Sequence, residues 1–201
     1  MRRGVLAAVA AAVLVLSGCG SDGVPGTSSS RIDVDTPQLR ALKQQAGVED
    51  CRPGTGRPVD GGLPDVTLPC LGGGKPVDLA ALRGPLVVNL WGSWCGPCRQ
   101  EMPVLEQFHQ RYGDRVGVLG VDYQDAQTVG ALDLVKQTGV TYPLVADVEG
   151  TLQGKAPFPG RIGLPLFALV DADGHVTIAA GGVDSVAQLK DLVAKDLGVD
   201  L

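Results

Sequence analysis

The chain predicts an α/β domain built on a mixed central sheet with helices on both faces and an N-terminal β-hairpin extension. Three observations carry that expectation. Pro85-Leu86-Val87-Val88-Asn89-Leu90-Trp91 is a nearly continuous apolar run, the pattern of a strand covered on both faces of a sheet. Pro97 to Tyr112 follows as a helix with Pro103 inside it, where a kink is expected. Pro165 to Val170 and His175 to Ala180 flank Asp171-Ala172-Asp173-Gly174, a hairpin with an Asp-Gly turn, and an amphipathic helix from Ser185 to Leu197 closes the chain.

The remaining elements fall between these. Thr36-Pro37 begins a short helix to Ala46, with Thr36 as N-cap, Pro37 as first helical residue and Gly47 as terminator. Residues 51–62 are rich in Pro and Gly and predict irregular chain. Asp65-Val66-Thr67-Leu68-Pro69 and Lys75-Pro76-Val77-Asp78-Leu79 flank Leu71-Gly72-Gly73-Gly74 and form the expected N-terminal hairpin, followed by a helical turn over 78–83. Arg115 to Val121 predicts a strand, Ala126 to Thr138 a helix stopped by Gly139, and Pro143 to Asp147 a short strand.

Composition narrows the function classes. At 201 residues and 44% hydrophobic, the chain supports one domain plus extras. A net charge of −5 gives no electrostatic attraction to nucleic acid, and no nucleic-acid partner is expected. Removing residues 1–18, which hold Arg2 and Arg3 but no acid, makes the balance more negative still.

The N-terminus predicts export. Met1-Arg2-Arg3-Gly4 is a short positive region, and Val5 to Leu16 is an apolar stretch too short for an ordinary membrane span. It ends in Leu16-Ser17-Gly18-Cys19, which resembles the lipobox of bacterial lipoproteins. That resemblance implies a lipoprotein signal peptide over residues 1–18, cleavage before Cys19, and a lipid on the Cys19 sulfur that holds the protein on the extracytoplasmic face of the membrane. The plain alternative is an ordinary signal peptide with a chance cysteine. Residues 19–50 then read as a flexible tether carrying the short helix, and 51–201 as the folded domain.

The chemistry concentrates at Trp94-Cys95-Gly96-Pro97-Cys98, between the apolar strand and the helix. Two cysteines two residues apart at a helix N-terminus suit dithiol–disulfide exchange. Unpaired backbone N–H groups and the positive end of the dipole favour a thiolate at Cys95 and leave it exposed, while Cys98 lies one turn along. The plain alternative, half of a zinc site, lacks a second compact pair, because Cys51 and Cys70 stand nineteen residues apart. No metal or cofactor is expected. Cys51 and Cys70 predict a structural disulfide that ties the N-terminal segment to the first hairpin, with a second redox pair as the alternative.

The segment Val87-Val88-Asn89-Leu90-Trp91-Gly92-Ser93-Trp94-Cys95-Gly96-Pro97-Cys98-Arg99-Gln100-Glu101-Met102-Pro103 closely resembles the active-site segment of thioredoxin-like proteins, and more narrowly the TlpA/ResA group of membrane-tethered extracytoplasmic thiol–disulfide oxidoreductases. Gly163-Leu164-Pro165, leading into Leu166 to Gly174, is similar to that family's cis-proline loop. The resemblance runs over roughly residues 63–197. It implies a thioredoxin-like fold, Cys95 as nucleophile, Cys98 as resolving thiol and Glu101 as proton carrier. It also implies that Leu164 and cis Pro165 join Trp94, Gly96 and Pro97 as the substrate-docking surface. Cytoplasmic thioredoxins carry a buried Asp where Asn89 stands, so here the proton-transfer role passes to Glu101.

The expected activity is reduction of disulfides in exported proteins, apocytochrome c being a family-typical target, with electrons from a membrane thiol donor. The Gly-Pro spacer resembles reducing members of the family. Two other functions are considered. A peroxiredoxin-like peroxidase requires a Pro-x-x-x-Thr-x-x-Cys context that the residues before Cys95 lack. A copper-binding assembly protein requires Cys-x-x-x-Cys with a distant His, whereas the spacing here is Cys-x-x-Cys and His175 is poorly placed.

Overall fold

A computed structural model of the chain describes residues 32–201. The expected signal peptide, Cys19 and residues 20–31 of the expected tether lie outside the described residues.

The central sheet has five strands in the order β5-β4-β3-β6-β7, formed by β3 (Leu86–Trp91), β4 (Gly117–Tyr123), β5 (Leu144–Asp147), β6 (Leu166–Val170) and β7 (Val176–Ala180). β3, β4 and β5 run parallel, and β6 and β7 run antiparallel to their neighbours. The mixed pattern follows from the connections. α2 (Gly96–Tyr112) and α3 (Thr128–Thr138) carry the chain between parallel strands, and the Asp171–Gly174 turn joins an antiparallel pair. α1 (Pro37–Ala46) and α4 (Val186–Leu197) complete the helices. β1 (Thr67–Leu68) and β2 (Val77–Asp78) pair antiparallel, and a three-residue 3-10 turn follows at Leu79–Ala81.

Both faces of the mixed sheet are covered, and the four α-helices gather on one of them. The side chains of Val87, Trp91, Val118, Leu144, Phe167 and Leu169 pack in one cluster with buried residues of all four α-helices, including Leu39, Leu105, Leu132 and Leu189. On the opposite face Val88, Leu90, Val121 and Val145 pack with Leu68 and Val77 of the hairpin, Leu79 of the 3-10 turn, and Leu152 and Phe158 of the loop after β5. The cause is chirality: two successive right-handed crossovers stepping the same way along a sheet place both helices on one side. Loops and the hairpin cover the other. The same segments close the sheet edges. Cys70 bridges to Val145 on β5, and Gly62 bridges to His175 at the start of β7.

Element boundaries shift for local reasons. α1 matches its expected limits, with Thr36 Oγ1 accepting from Leu39 N at 3.3 Å and Gly47 in the left-handed region. Its Leu39 packs with Val34 and Val48 in the main core, so residues 32–50 belong to the same compact unit as the rest. β4 begins at Gly117 because the N–H groups of Arg115 and Val116 still bond back to Tyr112 O at 2.8 Å. α3 begins two residues after its expected start because Asp125 Oδ1 holds Gln127 N at 2.9 Å in a turn. α2 runs without interruption through Pro103.

Candidate active site

Strand β3 ends at Trp91, and Gly92 to Trp94 carry the chain over the sheet's end to Cys95, the N-cap of α2. Gly96 and Pro97 occupy the first helical turn, where the missing proline N–H leaves no helical bond unmade. Cys95 and Cys98 are joined in a disulfide with Cα atoms 5.3 Å apart. Cys98 N donates to Cys95 Sγ at 3.2 Å, so the sulfur sits on an unpaired helical N–H of the kind that stabilises a thiolate.

The sulfur expected to be exposed is only narrowly so. Cys95 is 5% exposed and Cys98 0%. In the oxidised pair Cys95 is drawn against the helix, and its neighbours Trp94, Gly96 and Pro97 form the exposed rim. Trp94 is 55% exposed, and its indole Nε1 donates to Gln124 O at 3.3 Å, which fixes the ring beside the dithiol. Arg99 is exposed, but its Nε donates to Ser93 O at 2.7 Å and holds the entry loop.

Glu101 lies one turn beyond Cys98 and is 1% exposed. Its Oε1 accepts from Asn89 Nδ2 at 2.8 Å, and its Oε2 accepts from Val183 N at 3.4 Å. Burial raises its pKa from 4.5 to about 7, against the opposing pull of the Asn89 and Val183 hydrogen bonds. Asn89 is thus the residue that orients the carboxyl. The Leu164–Pro165 peptide is cis. Pro165 reaches the same place through Gly182: a Cβ there would stand 3.1 Å from Glu101 Oε2 and 3.2 Å from Pro165 Cγ. The buried carboxyl of α2 and the cis-proline loop before β6 therefore meet at the turn after β7, one helical turn along from Cys98.

Two carboxyls escaped the sequence reading. Asp125 Oδ2 accepts from Ser93 N at 2.7 Å, tying the loop before Cys95 to the end of β4. Asp122 is buried with neither oxygen hydrogen-bonded, and burial, then the Asp125 charge, push its pKa well above the usual carboxylate range. The available signal was Asp122 at an inward position of an otherwise apolar strand.

Cys51 and Cys70 form the second disulfide, with Cα atoms 5.9 Å apart and both residues buried.

Residues 58–193 match the Redoxin family. The chain is 31% identical over 124 residues to the thiol-disulfide oxidoreductase ResA of Bacillus thuringiensis subsp. konkukian, a match that covers 61% of this chain and 69% of that one. It is 32% identical over 136 residues to the thiol:disulfide interchange protein DsbE of Pseudomonas fluorescens biotype C, covering 66% and 72%. Two solved structures from Mycobacterium tuberculosis resemble it. For dsbF the TM-score is 0.57 at 26% identity, covering 65% of this chain and 94% of that one. For a secreted disulfide oxidoreductase homologous to E. coli DsbE it is 0.56 at 25% identity, covering 65% and 96%. With a Cys-x-x-Cys pair capping the helix after the central strand, the chain belongs to the Redoxin family and is a ResA-like thiol–disulfide oxidoreductase.

Proposed function

We propose that this protein works as an extracytoplasmic reductase of disulfides in exported proteins, held at the membrane by a lipid on Cys19. The observation that carries exchange at this pair is the buried Glu101 carboxyl, one helical turn from Cys98 and balanced near neutrality; the reductive direction is read from the Gly96-Pro97 spacer, which resembles that of reducing thioredoxins.

In the reduced protein Cys95, favoured as thiolate by the N-terminus of α2, attacks one sulfur of a substrate disulfide. A mixed disulfide forms, and the other substrate sulfur leaves with the electron pair. Cys98 then gives its proton to the Glu101 carboxylate and attacks Cys95, which releases the second substrate thiol. The Cys95–Cys98 bond so formed is the state of the structure. A membrane dithiol donor restores the pair, with Glu101 returning the proton to Cys98. Trp94, Gly96 and Pro97 provide one side of the docking rim, and the Leu164 backbone beside cis Pro165 provides an extended edge for the substrate chain. Apocytochrome c, which the TlpA/ResA resemblance implies, is the first substrate to examine.

Export rests on the Met1–Cys19 pattern and on likeness to a secreted relative, and anchoring rests on the lipobox-like Leu16-Ser17-Gly18-Cys19. No helix among the described residues is long and apolar enough to cross a membrane. The domain plan is a signal over 1–18, a tether from 19 and the enzymatic body after it. Insulin-disulfide reduction by the wild type, together with a membrane fraction that loses the protein on Cys19→Ala, tests activity and anchor separately. Accelerated disulfide formation without reduction overturns the direction.

A further inference from the structure

The Cys51–Cys70 disulfide sits beside a buried cation. Lys43, on α1, is 5% exposed. Its ammonium donates to Gly73 O at 2.8 Å and to Asp50 Oδ1 at 3.1 Å, and it lies 3.4 Å from Cys70 Sγ. Asp50, its ion-pair partner, has a side chain 91% exposed, and Asp35, which also feels the Lys43 charge, is partly exposed and paired with Arg40. A buried ammonium with a solvated counter-charge is poorly compensated. A negative charge on Cys70 would complete it. Cys51 has the complementary setting: its Sγ lies 3.1 Å from Leu144 O, an acceptor for a thiol proton and a poor neighbour for a thiolate. Both sulfurs thus already have the partners that their reduced forms need.

From this juxtaposition we propose that Cys51–Cys70 is a second exchangeable disulfide, with Lys43 stabilising Cys70 as the leaving thiolate. A dithiol donor's thiolate attacks Cys51 Sγ; a donor–Cys51 bond forms, the Cys51–Cys70 bond breaks, and the electron pair leaves on Cys70. The donor's second thiol, losing its proton, then attacks the donor sulfur of that mixed disulfide. Cys51 departs and is protonated. The donor dithiol is oxidised to a disulfide, the pair gains two electrons, one proton resides on Cys51 and the other passes to solvent. An ammonium beside the leaving sulfur lowers its pKa and makes the disulfide more easily reduced.

Space for the departing Cys70 thiolate exists at this edge. A cavity of about 220 Å³ is bordered by Arg40, Lys43, Asp50 and Gly72 to Gly74. Exposed Gly74 covers Cys70 with backbone alone; a Cβ there would stand 3.5 Å from Cys70 Sγ and 3.6 Å from Lys43 Nζ. With Cys51 and Cys70 4% and 2% exposed, exchange is slower than at Cys95–Cys98.

The test uses the full chain carrying Cys95→Ser and Cys98→Ser, so its outcome is independent of the proposed reductase site. The protein is equilibrated with mixtures of oxidised and reduced dithiothreitol, alkylated and weighed, with circular dichroism followed in parallel. Two thiols beyond any at Cys19 are expected to appear in one two-electron transition while the fold persists. Adding Lys43→Met is expected to shift the exchange constant at least tenfold toward the disulfide, about 30 mV for a two-electron couple, and Lys43→Arg to retain most of the wild-type value. As a readout that keeps Lys43, thiolate absorbance of the reduced protein should show one thiol ionising below about 8.5, retained in Cys51→Ser and lost in Cys70→Ser. A pair that resists reduction until the fold is lost overturns the proposal. So does an exchange constant unmoved by Lys43→Met, or the absence of a low-pKa thiol.

Discussion

Cys95–Cys98 closes a three-residue step at the N-terminus of a helix, whereas Cys51–Cys70 spans nineteen residues and ties irregular chain to the edge of β5. Each pair has a helical N–H or an ammonium aimed at one sulfur. They differ in what surrounds that feature. Around the first, Trp94, Gly96 and Pro97 are exposed, and cis Pro165 leads into β6 where that strand pairs with the end of β3, the surface proposed for docking. Around the second, the sulfurs lie under α1 and the glycine loop. Electrostatics poises a disulfide for exchange, and the exposed rim decides whether the exchange becomes turnover.

The comparison breaks most plainly at Cys95. Cys95→Ser should reduce insulin-disulfide reduction at least about 100-fold, to the level of the uncatalysed reaction, because the attacking thiolate is gone. Next in size is the stability of the longer loop. Replacing both Cys51 and Cys70 by Ser should cost about 3 kcal/mol in the chain-entropy model, read as a lower urea midpoint. The same change at Cys95 and Cys98 should cost much less, since so short a loop restricts the unfolded chain little. Equal losses for the two pairs would remove the structural half of the contrast.

Glu101 sharpens the comparison through pH. Its folded pKa lies above its ordinary 4.5, at about 7, so the folded protein binds its proton more tightly than the unfolded chain. Its contribution to stability is therefore complete below pH 4.5, declines as pH rises, and is lost above pH 7. The size is about 3 kcal/mol. Urea titrations at several pH values should show the decline in the wild type and a flatter profile in Glu101→Gln. The same variant should slow turnover about 10- to 100-fold near neutrality and remove the kinetic inflection near pH 7. The smallest effect is expected at the rim. Trp94→Ala should raise KM for a protein substrate several-fold, about 1 kcal/mol of docking energy, and leave the rate with a small disulfide near wild type.

Much of the fold is legible where a single local signal dominates. The apolar run of β3, the Asp-Gly turn between β6 and β7, and the Thr36 and Gly47 caps of α1 each encode their element within a few residues. The beginnings of β4 and α3 are less legible, because hydrogen bonds to Tyr112 O and to Asp125 Oδ1 set them rather than periodicity. At the site, the cysteine spacing identifies the chemistry, and Glu101 follows only once a resemblance is granted. Its bond to Asn89 joins residues 12 apart, the Asp125–Ser93 bond joins residues 32 apart, and the Lys43–Cys70 contact joins residues 27 apart. No pattern within a single element carries such pairings; they arise when the sheet and helices assemble. Nothing in the sequence of α1 marks Lys43 as buried, and the Gly72–Gly74 loop, 30 residues away in the chain at Gly73, packs over it and accepts its hydrogen bond.

The most direct test of Cys95 as the attacking sulfur is covalent capture. The reduced Cys98→Ser protein is mixed with a disulfide-bonded protein substrate, quenched by alkylation, digested and mapped by mass spectrometry. The account predicts a mixed disulfide accumulating on the peptide that contains Cys95, and none in Cys95→Ser with Cys98 present. Capture through Cys98 in the absence of Cys95, or no capture by the Cys98→Ser protein, would contradict it.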